Sequence, residues 1–346
     1  MIYFNSDYLE GAHPSIMVKM AETNMVQTVG YGEDEYCEAA REKIKAACQA
    51  PEADVHFLVG GTQTNTTVIA AILRPWQGVI SAVSGHINCH EAGAIESTGH
   101  KVITLPTDNG KITAQQVADY VEWHKNDEST EHIVQPGMVY ISHPTEAGTL
   151  YTKAELTELY NTCRRYGLPL YIDGARLGYG LAADESDMTL PEFARLCDVF
   201  YIGGTKVGAL FGEAVVIMNE SLKKDFRFIM KQRGGRLAKG RLLGIQFDAL
   251  FTDDLYFKIS RHAIEMAHQI RDIFVSAGYP LLFDSPTNQQ YPIMPDAELA
   301  EIGKSFGYEY WERVDETHSG VRFCASWATK QEHVDTLRAA VNALKK

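Results

Sequence analysis

Short apolar runs alternate with amphipathic segments from about residue 55 to residue 203. The runs are rich in β-branched and aromatic residues, which is typical of buried strands. The segments between them repeat apolar residues at the spacing of one helix face. This order predicts an α/β domain with a mainly parallel sheet and helices on both faces. The predicted strands are 55–59, 78–83, 101–105, 138–142, 168–173 and 198–203, and the predicted helices are 64–73, 113–124, 152–167 and 190–197.

The pattern changes after a further apolar run at 214–218, which would add an edge or antiparallel strand. Long helical patterns follow and end at 253–278. Three short apolar segments and two helical patterns then predict a small α+β region. We therefore predict an N-terminal arm with a large α/β domain at 1–255 and a small C-terminal α+β domain at 256–346.

The first 50 residues carry two helical patterns, at 14–27 and 38–50, and no convincing strand pattern. An N-terminal arm of this kind in a two-domain enzyme often packs on a partner chain. We expect the arm to do so here.

Composition narrows the classes of partner and compartment. The 346 residues are 45% hydrophobic and 22% charged, as in ordinary globular proteins. A net charge of -13 argues against nucleic acid or an anionic membrane as the main partner, because either would require a basic face. The chain opens without a signal-peptide pattern and has no apolar run of membrane-spanning length. Six scattered cysteines favour reduced thiols in the cytoplasm.

One lysine, Lys206, stands among glycines and apolar residues directly after a predicted strand, in YIGGTKVGALFGEAVVI (201–217). The simplest interpretation is a solvated lysine on a surface loop. Apolar surroundings, however, would keep its amine neutral, which is the condition for condensation with a carbonyl.

Other polar residues also follow predicted strands, and the carboxyl ends of parallel strands share one edge of a sheet. Gly61 and Thr62 precede a helix and suit either a phosphate or a plain turn. Asp173 ends a strand and Arg176 follows it. Asp173 suits a helix cap or a buried carboxylate, and Arg176 suits bidentate binding of a carboxylate. The two could also form a surface ion pair.

Two histidines four residues apart, His86 and His90, precede Glu91. This spacing suggests zinc, but the carboxylate is misplaced for the usual motif and no third ligand is evident, so we predict no metal. His86 fits better as a flat ring against an aromatic ligand.

One cofactor, pyridoxal 5′-phosphate (PLP), explains these features together. They are a lysine, a carboxylate, a flat aromatic side chain and a phosphate site at one edge of the sheet. Lys206 would bind its aldehyde and Asp173 its ring nitrogen. Gly61 and Thr62 would bind its phosphate.

A series of motifs in matching order carries a family resemblance. The chain resembles the low-specificity threonine aldolases of the β-eliminating lyase group, which are PLP enzymes of fold type I. The combination of IDGARL with the downstream lysine is specific, whereas GGT and YGED alone are not. The motifs are FNSD, YGED, GGTQTN, HINCHEAGA, YIDGARL, IGGTK and VRFCASW.

The resemblance implies roles for individual residues. Lys206 would be the Schiff-base lysine, and His86 would stack on the cofactor ring. Ser6, Arg176 and Arg322 match positions that hold the substrate carboxylate. Tyr31 falls where a neighbouring subunit reaches into the site, which implies a homodimer or homotetramer with active sites at the subunit interface.

The chain departs from the family pattern after the fourth strand of the sheet predicted for the large domain. Many members have Thr-His there, whereas SHPTEAGT offers Thr145 and Glu146. If that histidine assists proton transfer at the substrate hydroxyl, Glu146 or His86 must replace it here.

The implied activity is that of an aldehyde-lyase acting on β-hydroxy-α-amino acids. It would convert L-threonine or L-allo-threonine to glycine and acetaldehyde by retro-aldol cleavage. PLP-dependent β-elimination or transamination of another amino acid needs the same residues and stays open. A non-catalytic sensor of PLP or an amino acid is less consistent with the retained Lys206, Asp173 and Arg322.

Overall fold

A computed structural model describes residues 1–345 of the chain. The strands are β1 Ile2–Tyr3, β2 Asp54–Leu58, β3 Gln77–Ala82, β4 Val102–Leu105, β5 Gln135–Ser142, β6 Leu170–Asp173, β7 Val199–Gly203, β8 Glu213–Ile217, β9 Gln289–Gln290, β10 Ile293–Pro295, β11 Phe306–Gly307, β12 Glu309–Arg313 and β13 His318–Cys324. The α-helices are α1 Pro14–Thr23, α2 Glu35–Cys48, α3 Gly61–Ile72, α4 His86–Cys89, α5 Ala114–Asn126, α6 Lys153–Tyr166, α7 Leu177–Ala182, α8 Leu190–Ala194, α9 Phe226–Gln232, α10 Arg241–Leu250, α11 Leu255–Ser276, α12 Asp296–Ile302 and α13 Gln331–Leu344.

The large sheet has seven strands in the order β2-β8-β7-β6-β5-β3-β4. The pairs from β7 to β4 are parallel, whereas β8 is antiparallel to both of its neighbours. This confirms the predicted α/β class with a mainly parallel sheet. The run at 214–218 is indeed an antiparallel strand, but β8 lies inside the sheet rather than at its edge.

Helices cover both faces of this sheet, which explains why its strands are apolar on both sides. Ile141, Ile172 and Phe200 belong to a core shared with helices α2, α5, α6, α8 and α10. Tyr140 and Tyr171 belong to a second core with helices α3 and α9. The alternation along β5 and β6 thus places tyrosines on the α3 face, close to the carboxyl edge.

Helix boundaries follow local sequence chemistry. Helix α6 begins after Thr152, whose side chain and that of Glu155 form a capping box. It ends at Gly167, which adopts a left-handed conformation with φ 69°. These signals account for the close agreement with the helix predicted at 152–167.

A separate apolar core forms in the C-terminal region, where Phe274 and Phe323 pack together. Strand β13 pairs with β9, β10 and β12. The expectation of no strand in the first 50 residues is wrong at their start, because β1 pairs in parallel with β11. Phe4 accordingly packs in the C-terminal core. A two-residue strand has no periodicity that a sequence pattern could reveal.

Within residues 1–345, no helix is both long enough and apolar enough to cross a membrane.

Candidate active site

A cavity of about 370 Å³ opens at the carboxyl edge of the large sheet. Segments that follow β2, β3, β5, β6 and β7 line it. The amino end of β8 also reaches this edge, because β8 runs opposite to β7. The predicted site residues that line the cavity are Gly61, Thr62, His86, Glu146, Asp173, Arg176 and Lys206.

Lys206 lies on the turn between β7 and β8, and its carbonyl accepts a hydrogen bond from Tyr179 Oη at 2.5 Å. Burial, together with the positive charge of Arg176, lowers the pKa of Lys206, although nearby carboxylates oppose this shift. A lower pKa increases the fraction of neutral amine, which is the form that attacks a carbonyl.

Asp173 is a buried carboxylate at the end of β6. Burial alone would raise its pKa, but the charge of His86 and several hydrogen bonds lower it below the ordinary value. The carboxylate is therefore held ionised at the base of the cavity. It accepts hydrogen bonds from Tyr201 Oη (2.5 Å), Tyr140 Oη (2.8 Å), the Ala175 N–H (3.0 Å) and Asn65 Nδ2 (3.1 Å).

His86 begins the short helix α4, and its side chain is 35% exposed. Its Nδ1 lies 2.7 Å from Oε1 of the buried Glu91. Burial opposes the charged ring, but the hydrogen bond to Glu91 and the charge of Asp173 raise the pKa of His86 above its ordinary value. Glu91 is thus a partner of His86, which sequence reasoning considered only as a metal ligand.

Glu146, one of the two candidates to replace the histidine of the Thr-His pattern, lies beside His86. Its Oε1 accepts hydrogen bonds from the His86 N–H (2.9 Å) and from Ser142 Oγ (2.6 Å). Burial raises the pKa of Glu146 in spite of these bonds. Glu146 therefore fixes the backbone of His86 and can hold a proton near the cavity.

Arg176 forms a buried bidentate ion pair with Asp7, which sequence reasoning missed. Its Nε and Nη2 donate to the two Asp7 oxygens at 2.6 and 3.0 Å, and Asn288 donates to Asp7 at 2.9 Å. Burial would raise the pKa of Asp7, but the charges of Arg176 and Lys206 lower it to about 2. This pair leaves only part of the Arg176 fork for a substrate.

Arg322 and Ser6 lie outside the lining of the cavity among the described residues. The Arg322 guanidinium donates to Gln289 Oε1 (3.0 Å), to the Asn5 carbonyl (3.1 Å) and to Glu309. Its Nε and the Ser6 Oγ are both buried without a partner within residues 1–345. Because buried polar atoms normally have partners, these two atoms point to a polar ligand. Their assignment to the substrate carboxylate stays a prediction.

Helix α3 begins at Gly61, and its N-cap residue Gly60 makes no side-chain capping bond. The first residues of α3, Gly61 and Thr62, line the cavity, and the start of a helix suits an anion such as phosphate. A Cβ on Gly61 would lie 3.1 Å from Tyr201 Oη, which is a tight contact. With Lys206 and Asp173 at the same cavity, the residues fit PLP.

Glu213, the first residue of β8, also lines the cavity and was missed as a site residue. It accepts hydrogen bonds from Thr205 Oγ1 (2.8 Å) and the Gly204 N–H (3.1 Å) and so holds the turn that carries Lys206. Burial raises the pKa of Glu213 to about 8, although Thr205 and Lys206 oppose the shift. Only the reversed direction of β8 brings it here, and an apolar run does not reveal direction.

Tyr31 lies apart from this cavity, on the segment before α2, and is 45% exposed. Lys231 and Arg236 lie over its ring at 4.7 and 5.7 Å. Tyr31 therefore contributes nothing to the cavity of its own chain.

Comparison with known proteins places the chain among enzymes. The family model described as Beta-eliminating lyase matches residues 4–334. The low specificity L-threonine aldolase of Pseudomonas aeruginosa is 28% identical over 337 residues, which cover 96% of this chain and 95% of that protein. The corresponding enzyme of Pseudomonas sp. is 27% identical over 347 residues and covers 99% of this chain and 97% of that protein.

Solved structures agree with this comparison. A threonine aldolase structure from Leishmania major is 42% identical, covers 100% of both chains and superposes with a TM-score of 0.97. The histidinol-phosphate aminotransferase of Clostridium acetobutylicum is 12% identical, covers 100% of this chain and 99% of that chain, and has a TM-score of 0.76. The latter likeness shows the fold alone.

Proposed function

Because the chain belongs to the β-eliminating lyase family, we propose that it is a PLP-dependent aldehyde-lyase that cleaves β-hydroxy-α-amino acids. Its substrates are L-threonine and L-allo-threonine, and its products are glycine and acetaldehyde. One observation carries the proposal: Lys206, Asp173 and the start of α3 meet at one cavity. The similarity to the Leishmania major threonine aldolase over the whole chain supports it.

The chain's own residues hold the cofactor. Lys206 would hold the aldehyde of PLP, the ionised Asp173 would pair with its ring nitrogen, and the start of α3 with Thr62 would hold its phosphate. PLP, when bound, supplies an electron-withdrawing ring that accepts the electrons of the bond being broken. Four donors fix Asp173 and keep it ionised, so it would favour the protonated form of the PLP ring nitrogen.

The β-hydroxyl proton goes to His86. Its Nδ1 is engaged by Glu91, so its Nε2 is left to face the substrate. Removal of this proton lets the hydroxyl carbon become the carbonyl carbon of acetaldehyde as the Cα–Cβ bond breaks, and Cα then takes up a proton to give glycine. Glu146 holds the His86 backbone and acts as a second proton site.

The substrate carboxylate is held by Ser6, Arg176 and Arg322. Ser6 lies between Asn5, whose carbonyl binds Arg322, and Asp7, which binds Arg176. A carboxylate fixed by these groups sets the orientation of Cα and therefore the bond that breaks.

The site is completed in a homodimer or homotetramer. Large apolar side chains are exposed along the N-terminal arm, and Tyr31 of one subunit reaches the active site of its partner. Burial of these side chains between subunits would stabilise the assembly. They are Met17, Val18, Met25, Val26 and Val29.

We place the protein in the cytoplasm. Within residues 1–345 all six cysteines are free, and five of them are buried. Unpaired thiols of this kind are typical of a reducing compartment.

The test is an absorbance spectrum of the purified protein, followed by addition of L-threonine or L-allo-threonine and an assay for acetaldehyde. We expect a yellow protein that releases acetaldehyde, and a Lys206→Ala variant that does neither. Pyruvate in place of acetaldehyde would move the assignment to β-elimination or transamination. A yellow protein without turnover would favour a sensor.

A further inference from the structure

A chain of buried hydrogen bonds joins His86 to Asp173. Glu91 Oε1 lies 2.7 Å from His86 Nδ1 and accepts from Asn65 Nδ2 at 2.7 Å. The same Asn65 nitrogen donates to Asp173 Oδ2 at 3.1 Å. Asn65 is fully buried and Glu91 nearly so. The residue at the substrate hydroxyl and the residue at the cofactor nitrogen therefore share one network.

The chemistry of its neighbours fixes the orientation of the Asn65 amide. Its nitrogen faces two carboxylates, and its Oδ1 accepts from Tyr171 Oη at 2.7 Å. The opposite orientation would place the amide oxygen against both carboxylates. An amide oxygen has no hydrogen to donate to them, so no hydrogen bond could form. An amide so placed donates one hydrogen to each carboxylate but has no proton to release to either.

Glu91 acts on the other end of this network. Its Oε1 fixes the proton of the neutral His86 ring on Nδ1, which leaves Nε2 as the proton acceptor. Glu91 Oε2 is buried and has no partner within residues 1–345.

We propose that Glu91 and Asn65 are a pair of positioning residues, in which Glu91 orients His86 as the base and Asn65 fixes the Glu91 and Asp173 carboxylates by donating a hydrogen bond to each. This inference rests on the proposed function, because it assigns the pair to the same reaction. Neither residue touches the substrate. Glu91 acts through His86, and Asn65 acts through Glu91 and Asp173.

The first test is Glu91→Gln, a change of equal size. The neutral side chain no longer favours the charged ring, so the acid limb of the pH profile of kcat/KM for L-threonine should move down by about one pH unit. Loss of ring orientation should also lower kcat by about 10- to 100-fold. Thr67→Val is the control, because Thr67 is buried in α3, the helix that carries Asn65, and its hydroxyl donates to the Gln63 carbonyl. It should leave the acid limb in place.

A double variant separates a positioning role from a structural one. In a His86→Phe background, Glu91→Gln should cause no further loss of kcat, since its effect passes through the ring. Independent and additive losses, or an unmoved acid limb in the single variant, would overturn the assignment of Glu91.

Asn65 is tested by cofactor binding, which does not depend on turnover. Asn65→Asp places a third carboxylate between two others, so a proton must be shared and Asp173 loses charge. The dissociation constant for PLP, measured by equilibrium dialysis, should rise at least about 10-fold. Asn65→Leu should give a smaller rise, because Asp173 loses one of four donors and stays ionised.

The outcomes distinguish the two proposals. A wild-type protein that binds PLP but releases no acetaldehyde would remove the proposed function, while the dialysis result would still decide the role of Asn65. An active wild type with unchanged PLP affinity in Asn65→Asp would remove the inference alone. Circular dichroism of each variant checks that it is folded, and Asn65→Leu replaces Asn65→Asp if the latter is not.

Discussion

Arg176 and Arg322 were predicted to hold the same substrate carboxylate, and in the structure each already binds a carboxylate of its own chain. The partners differ in burial. The side chain of Asp7, which binds Arg176, is 0% exposed, whereas that of Glu309, which binds Arg322, is 49% exposed. The two guanidinium groups are similarly buried, with 14% and 12% of their side chains exposed. The two ion pairs therefore differ mainly in how deeply the carboxylate is buried.

The difference in burial suggests two roles. The Asp7–Arg176 pair stabilises the fold, whereas the Glu309–Arg322 pair can open to bind a ligand. Removing Asp7 would leave a buried charge without a counter-charge, which is costly. Glu309 can move into water at little cost, because a solvent-exposed ion pair contributes little. We infer that an incoming carboxylate displaces Glu309 from Arg322, whereas at Arg176 it must use the donors that Asp7 leaves free.

The largest expected effect is that of Asp7→Asn on stability. Loss of the buried counter-charge should lower the free energy of unfolding by about 3 to 5 kcal/mol. Urea unfolding followed by circular dichroism measures it. Glu309→Gln is the matched change at the other pair and should cost less than about 1 kcal/mol. Equal losses in the two variants would show that burial of the partner does not distinguish them.

The Asp7–Arg176 pair should also make the free energy of unfolding depend on pH in the acid range. The folded-state pKa of Asp7, about 2, lies below the ordinary value of 3.8. A lowered carboxylate pKa stabilises the fold above about pH 4, and this contribution of about 2 kcal/mol is lost as the pH falls through 2. The stability gap between wild type and Asp7→Asn should therefore narrow from about pH 5 downwards. A gap that stays constant in urea titrations down to about pH 2.5 would contradict the lowered pKa.

Arg322→Lys should act on substrate binding. A lysine keeps the charge but cannot present a planar fork to a carboxylate, so KM for L-threonine should rise by about 10-fold. The value of kcat should change by less than about 3-fold, since the lost contact is made in the ground state as well. Initial rates against threonine concentration measure both. An unchanged KM would remove Arg322 from the carboxylate site.

The smallest expected effect is that of Glu309→Gln on KM for L-threonine. Without a competing anion, Arg322 should bind the substrate more readily, and KM should fall by about 3-fold with kcat unchanged. The assay is the one used for Arg322→Lys. A KM that rises instead would mean that Glu309 orients Arg322 rather than competing for it.

The sequence predicted the sheet well, because strands buried on both faces are continuous apolar runs. For β8 it left an edge strand and an antiparallel strand as alternatives, since an apolar run alone shows neither the position of a strand in the sheet nor its direction. It also missed β12, whose residues Glu309–Arg313 are mostly exposed and polar. That strand is defined by pairing with β13 rather than by its own pattern.

The candidate site also contains some residues that the sequence predicted and others that it did not. Lys206, Asp173 and His86 could be found because each follows a strand and such residues meet at one edge. The role of Asn65 could not be found, because its hydrogen bonds to Glu91, Tyr171 and Asp173 join residues that are 26 to 108 positions apart. Glu91 was visible only as the neighbour of His90, and Asp7 only as part of FNSD.

The pairing of β1 with β11 has a consequence for biosynthesis. Tyr3 lies beside Gly307, so the strand that precedes Ser6 and Asp7 finds its partner only after about 300 further residues have been made. At about 5 to 20 residues per second, a ribosome needs about 15 to 60 seconds for that length. The large sheet can form early in this interval, whereas the beginning of the chain must wait. The segment that carries Ser6 and Asp7, and with it the Asp7–Arg176 ion pair, is therefore among the last parts of a nascent molecule to be assembled.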